Sequence, residues 1–296
     1  MTSNGLKHMV FRYLQPGLLI AIVAWFSLLP AAMAGSATVF FWTGVAIKAF
    51  VLALEAVNER HASWRITPRE LASDIVYVVL GYTLVQWLDH NVAERGYEAF
   101  KAMVGIKTLW LAQAPVAVQA ALVVVLLEFG QYWMHRGMHN WRPLWLTHAP
   151  HHYLTQLNAL KGHVGNPIEL FLVGLSVVSL FDFSLPGLFA GFSVLTAIFC
   201  FAHANVRFDP PGWYSYVFTT IESHSLHHSM EYEDTRCNYA NALILLDRMF
   251  GTFRAGETAI VGQEAGRKLS IPDVLVYPFT PLIDGARGVL KGSRAA

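Results

Sequence analysis

The sequence predicts an all-α protein: an integral-membrane helical bundle with a histidine-rich cap at one end. Three observations predict it. Hydrophobic residues fill 54% of the 296 positions and charged residues only 14%, against roughly 25% charged in an average soluble domain, so the chain has too little polar surface for a water-soluble globule. Charge-free apolar stretches run from Tyr13 to Ile47, Ile75 to Leu88, Thr108 to Leu127, Leu170 to Phe181 and Phe183 to Val206; the longer ones reach the roughly 20 residues that a membrane-spanning helix needs. Ten of the 13 histidines fall between His135 and His228. The net charge of +1 gives no sign of a nucleic-acid partner. Two cysteines, Cys200 and Cys237, are too few for a disulfide framework or an iron–sulfur cluster.

The first apolar stretch breaks near Ala34–Gly35–Ser36 into a hairpin of two spans, Gly17–Met33 and Val39–Ala56. Leu71–Leu88 and Pro115–Trp133 are further spans. Ile168–Asp182 and Leu188–Ala202 are each short, with a turn signal at Ser184–Leu185–Pro186–Gly187 between them; they are expected to form a tight hairpin that only just crosses, or that dips in from one side. Lys7 and Arg12, ahead of an apolar run ending Ala32–Met33–Ala34, also fit a secretory signal and cleavage site, but the second span follows at once, and a retained hairpin is the simpler reading. The chain divides into N-terminal spans and loops (1–112), a histidine-bearing domain (113–256) and a tail (257–296) in which no chemistry is visible.

Lysines and arginines set the orientation. Lys7 and Arg12 precede the first span, and Arg60, Arg65 and Arg69 lie between the second and third. A cytoplasmic N-terminus puts both groups inside, although it sends Arg95, Lys101 and Lys107 to the outer side. His135 and His203 then emerge on the same, cytoplasmic face.

The histidines form three motifs: His135–Arg136–Gly137–Met138–His139, His148–Ala149–Pro150–His151–His152 and His224–Ser225–Leu226–His227–His228. Residues three or four apart share one helical face, so His135 and His139 can reach a common metal. In an H-x-x-H-H triplet the first histidine neighbours both others, while the adjacent pair point about 100° apart and can serve two different metals. Thr147 is a candidate N-cap that leaves Pro150 in the first helical turn, where a missing N–H costs little. Imidazole suits zinc, copper, iron and nickel. Eight ligands exceed the four of a structural zinc and suit two metals with open coordination, forming a di-metal cap. His203, in His203–Ala204–Asn205, and His163, in Lys161–Gly162–His163, are additional candidate ligands, with a loop residue bonded to backbone as the plain alternative for His163. His8, His61 and His90 read as ordinary polar residues. Glu128, two helical turns before His135, is a candidate partner of the ligands or proton-handling group, because an unpaired charge near the end of a span is costly. Asp234, Asp247 and Glu222 read first as surface or capping residues, and Asn238 and Tyr239 as site or loop residues.

At these residues the chain resembles the fatty acid hydroxylase/sterol desaturase superfamily, which carries H-x3-H, H-x2-H-H and a second H-x2-H-H in this order. His203–Ala204–Asn205 resembles that family's extra histidine segment. Asn238–Tyr239 followed by Leu246–Asp247–Arg248–Met249–Phe250–Gly251–Thr252–Phe253 resembles its closing signature, with Leu246 in place of a tryptophan. The likeness covers roughly Glu128 to Phe253. One departure is that His163 and Pro167 are separated by Val164–Gly165–Asn166, where members often have a His–Pro pair. The resemblance implies a di-iron centre on His135, His139, His148, His151, His152, His163, His203, His224, His227 and His228, with Glu128 and Asn238 as catalytic candidates. It implies that O2 is the co-substrate and that a bilayer lipid is hydroxylated, desaturated or cleaved at an ether.

The chain shows no G-x-G-x-x-G fingerprint and no cysteine cluster, so electrons are expected from a separate protein, either cytochrome b5-like or a ferredoxin with its reductase. Two other readings use the same residues. A di-zinc membrane hydrolase would attack an amide or ester, but such sites usually add aspartate ligands. A metal transporter would place histidines and carboxylates along a path through mid-membrane, whereas these lie at helix ends and in polar loops.

Overall fold

The computed structural model describes residues 3–284; residues 285–296 of the expected tail lie outside them. Among the described residues the regular elements are helices, and five are long and apolar enough to cross a membrane. Helix α1 (Ser3–Leu28) and helix α2 (Ala37–Val57) form the N-terminal hairpin. The third span, α3, is one helical run over Pro68–Val104, with π-type turns at Gly81–Val85 and Asp89–Glu94. Helix α4 (Val116–Asn140) leads directly into α5 (Arg142–His152). Helix α6 (Pro167–Gly174) and the 3-10 turn Val177–Leu180 make a broken descending leg, and α7 (Leu185–His203) is the continuous return. The expected short hairpin is therefore unequal, because the chain is extended at Leu175 and Ser176.

Two other spans outrun their hydropathy. Helix α1 begins before Gly17 because its polar first turns dock on the loop after α7: His8 lies 3.2 Å from Asp209, and Phe11 packs on Phe208. Helix α3 continues through Arg95 and Lys101, past the expected end of the span at Leu88; Lys101 pairs with Asp182 at 2.5 Å. Helix α5 starts at Arg142 with Pro143 in its first turn. Thr147 is therefore not its cap, and Pro150 sits inside the helix.

Helices α4 and α7 form the centre of the bundle. Gly187 and Gly191, one turn apart on α7, meet α4 so closely that a Cβ on Gly191 would lie 2.6 Å from Val123 Cγ1; small residues at this spacing let helix backbones approach. Val123 on α4 and Ala197, Ile198 and Phe201 on α7 are fully buried.

Hydrogen bonds mark the two ends of the bundle. At one end Lys101 and the Thr108 N–H meet Asp182, and the Ser184 N–H donates to Gln119 Oε1. At the other, Lys7 reaches the Val57 carbonyl, Asn58 donates to the Arg207 carbonyl, and the His61 N–H donates to Asn205 Oδ1 at 2.8 Å. The last turns of α4 and α7, with their histidines, lie at this second end.

Candidate metal centre

Each histidine motif rides on a helix end. His135 and His139 close α4, His148, His151 and His152 close α5, and His203 closes α7. His224 and His227 lie on the short helix α8 (Ile221–His227), with His228 at its C-cap. The nine rings form two groups. His135, His139, His148, His152 and His227 offer nitrogens all within 4.8 Å of one another, and His151, His203, His224 and His228 do the same. Each triplet divides its adjacent pair between the groups and sends its first histidine with the fourth residue on. That is the outcome of helical geometry, since i and i+4 share a face while i+3 and i+4 diverge.

The ring nitrogens explain why these contacts are not a hydrogen-bond network. His148 Nε2 has three imidazole neighbours: His135 Nε2 at 2.9 Å, His152 Nε2 at 3.0 Å and His139 Nε2 at 3.1 Å. One ring nitrogen carries a single in-plane site, either N–H or lone pair, so it cannot satisfy all three by hydrogen bonding. A cation at the focus of the lone pairs can. With a metal–nitrogen distance of about 2.1 Å, neighbouring ligands lie about 3.0 Å apart in octahedral geometry and about 3.4 Å apart in tetrahedral geometry. The remaining close pairs, His227–His135 at 3.1 Å, His203–His224 at 3.0 Å and His228–His224 at 3.2 Å, fall near the octahedral edge.

The outer nitrogens fix which atom faces inward. Nδ1–H donates to the carbonyl of Tyr239 from His135 at 2.6 Å, of Val164 from His151 at 2.7 Å, of Cys237 from His227 at 2.7 Å and of Phe199 from His203 at 3.0 Å. A carbonyl only accepts, so each bond places the proton on Nδ1 and leaves the Nε2 lone pair for a metal. His148 Nδ1 lies 2.7 Å from Glu169 Oε1, within hydrogen-bond reach. His139 Nδ1 approaches Thr235 Oγ1 at 3.4 Å, and that hydroxyl spends its own proton on the Tyr232 carbonyl. Burial pushes the pKa of His148 down to about 3. His152, His224, His227 and His228 are held well below the ordinary histidine value, by burial first and by neighbouring imidazoles second. Both effects favour the neutral ring, which is the metal-binding form.

Three expected site residues are not members of the two groups. His163 belongs to neither group. It ends the 3-10 turn Lys161–His163, with its ring 6.3 Å from that of Tyr82, while its neighbour Gly162 lies against His203, whose ring atoms would be 3.3 Å from an added Cβ. Where a His–Pro pair is common, Asn166 instead caps α6, accepting from the Ile168 N–H and donating to the Val274 carbonyl. Glu128 is fully buried and accepts the Ala242 N–H at 2.9 Å, so it anchors the loop behind His135. The second carboxylate oxygen of Glu128 is buried without a hydrogen-bond partner. Asn238 joins α8 to the segment after Phe253, donating to the Ser223 and Arg254 carbonyls and accepting the Arg254 N–H. Asp247 acts in the same way: its carboxylate accepts the N–H groups of Tyr239 and Ala240, both at 2.8 Å, and so holds the carbonyl that orients His135. Of the other carboxylates, Glu222 pairs with Arg60 and Asp234 with Arg254.

Glu169 was not visible as a site residue. It follows an Asn–Pro helix start, where an acidic residue in the first turn reads as ordinary capping, and only the folded chain brings it to His148.

Two clusters of inward-facing imidazoles, closing one end of a bundle of apolar helices, define a multi-pass membrane protein with two groups of histidines that could each hold a metal ion. The fatty acid hydroxylase family matches residues 120–252, and through this segment, which holds all three histidine motifs, the chain is similar to the fatty acid hydroxylase/sterol desaturase superfamily. The chain is 33% identical over 147 residues to ornithine lipid hydroxylase OlsE of Rhizobium tropici, covering 49% of this chain and 44% of that protein. It is 32% identical over 144 residues to the Delta(7)-sterol-C5(6)-desaturase of Nicotiana tabacum, covering 46% and 50%, and 26% identical over 135 residues to human alkylglycerol monooxygenase, covering 46% and 30%. The chain thus spans half or less of the length of these curated relatives. No solved structure matches the chain significantly.

Proposed function

We propose that this protein is a membrane oxygenase that holds two irons in its histidine cluster and uses O2 to hydroxylate or desaturate a C–H bond of a bilayer lipid. The observation that carries the reading is the division of nine buried imidazoles into sets of five and four at near-octahedral spacing. Such sets fit two iron ions better than tetrahedral zinc. The relatives support the reaction class, being named for hydroxylation, desaturation and monooxygenation of lipids.

Two irons, when bound, would supply O2 reduction and oxidation of an unactivated C–H bond. The chain's own residues would set the conditions. The Nδ1 anchors and Glu169 keep the Nε2 atoms on target, so little reorganisation is needed when metal binds. The buried seam of α4 and α7 keeps water from the side of the cluster that faces the membrane. A lipid would enter sideways from the bilayer, and the depth of its seat below the histidines would select the carbon that reacts. We place the histidine end in the cytoplasm, because the Lys7–Arg12 turns and the segment from Asn58 to Arg69 share that end. There a separate electron donor, cytochrome b5-like or a ferredoxin with its reductase, would reach the cluster.

The test is metal content and Mössbauer spectroscopy of protein purified anaerobically from iron-57-supplemented cells. Two irons per chain, with a coupled signal that changes on adding O2 and reductant, are expected. Two tightly held zincs despite iron-rich growth, with no O2 uptake, would overturn the proposal.

A further inference from the structure

A second polar site lies inside the bundle, apart from the histidines. A cavity of about 410 Å³ is bounded by α3, α4, the segment following α6 and the first half of α7. Its apolar wall includes Leu127, Phe181 and Phe192. Its polar lining includes Asp89, Gln131 and Ser176, with Glu98 and Glu94, the latter 2.7 Å from the exposed His90 ring outside the cavity, more exposed beside them. No lysine, arginine or histidine lines it. Gln131 is only 5% exposed, and its Oε1 has no hydrogen-bond partner. Asp89 Oδ1 is likewise buried without a partner. A buried acceptor left unpaired is costly, and a carboxylate in the apolar layer is costlier still. Together the two place unsatisfied acceptors in residues that line a space whose charged groups are all of one sign.

We infer that this cavity seats the head of the lipid substrate, and that the head carries a protonated amine. An ammonium group supplies the positive charge and up to three N–H donors, matching Asp89, Gln131 and the acidic side chains near them, while the apolar wall takes the adjoining chain. A fatty carboxylate would add like charge, and a plain alcohol would leave the carboxylates uncompensated. Gln131 lies four residues before His135 on α4, about 6 Å of helix rise. A head bound there holds carbons near the amine closest to the histidines, so oxidation falls within a few bonds of the head group. What happens to the bound lipid rests on the oxygenase reading above, whereas binding itself does not.

The test is competition for tritiated hexadecylamine on purified full-length protein in detergent, with hexadecylamine, N-acetylhexadecylamine, hexadecanol and palmitate as competitors. The free amine should compete roughly tenfold or more better than the other three, the size expected for a charge-assisted hydrogen bond. Asp89→Asn, which is nearly isosteric, and Gln131→Met should each weaken the amine by a similar factor and leave hexadecanol unchanged. Equal competition by all four, or full amine affinity in both variants, would overturn the inference. Iron content and O2 uptake measured on the same preparations separate the two readings. Selective amine binding without O2 uptake removes the oxygenase and keeps the site, whereas O2-dependent oxidation of a lipid with no amine preference removes the site alone.

Discussion

Glu169→Ala is the most informative single change in the cluster. His148 sits at the hub of the five-histidine group, with three imidazole nitrogens within 3.1 Å of its Nε2, and its orientation depends on one 2.7 Å bond from Nδ1 to Glu169. Removing the carboxylate frees both the ring rotation and the tautomer, while no ligand is lost. Loss of such an outer partner costs roughly 10–100-fold in metal affinity, or about 1.4–2.7 kcal/mol. The four-histidine group keeps its anchors on Val164 and Phe199, so the loss should be confined to one metal. Glu169→Gln retains an acceptor oxygen and should fall between the variant and the parent. The assay is a chelator competition titration resolved into two binding steps. A Glu169→Ala protein that retains both metals at parental affinity would refute the assignment of the hub, and equal weakening of both steps would refute the independence of the two groups.

Four further outcomes are expected. His152→Ala and His228→Ala should each abolish activity with membrane insertion intact, and each should lower metal content in its own group; near-normal turnover removes that residue from the ligand set. Gly162→Ala should weaken the four-histidine group, because its Cβ would press on the His203 ring at 3.3 Å; metal titration reads this directly. Gly191→Ala should destabilise the α4–α7 seam by about 1–3 kcal/mol through overpacking, visible as earlier thermal unfolding in detergent. Asp182→Asn should lower thermal stability at pH 7, and the difference should vanish in acid. The Lys101 ammonium and the Thr108 N–H hold the Asp182 carboxyl below its ordinary value, so its contribution is full above about pH 4 and is lost as pH falls through the depressed value.

How the triplets divide their ligands was legible because it depends only on the local spacing of a helix turn. What the sequence could not show was long-range. Glu169 and the four carbonyl acceptors reach the histidines through folding alone, and a carbonyl has no residue type to notice. Glu128 and Asn238 stood out as a carboxylate near a span end and a motif asparagine, and the backbone groups that each of them bonds were likewise invisible in the sequence. His163 matched by proximity to a family position, but the turn that carries it presents Gly162 to the cluster instead. The spans were found by hydropathy, and their lengths were not. Apolarity marks where lipid begins and says nothing of a helix that continues past it with charged turns held by Asp209 or Asp182.

Four of the nine rings are oriented by main-chain oxygens. Point substitution alters side chains and cannot delete a carbonyl, so this part of the scaffold is shielded from mutational drift as long as the path of the backbone persists. The inheritable freedom of the cluster is concentrated in the remaining rings: His148 and His139, whose partners are side chains, and His152, His224 and His228, whose outer nitrogens are buried without partners. Around those five rings, descendants of this chain could acquire or lose a neighbour and retune the reactivity of the centre without rebuilding it.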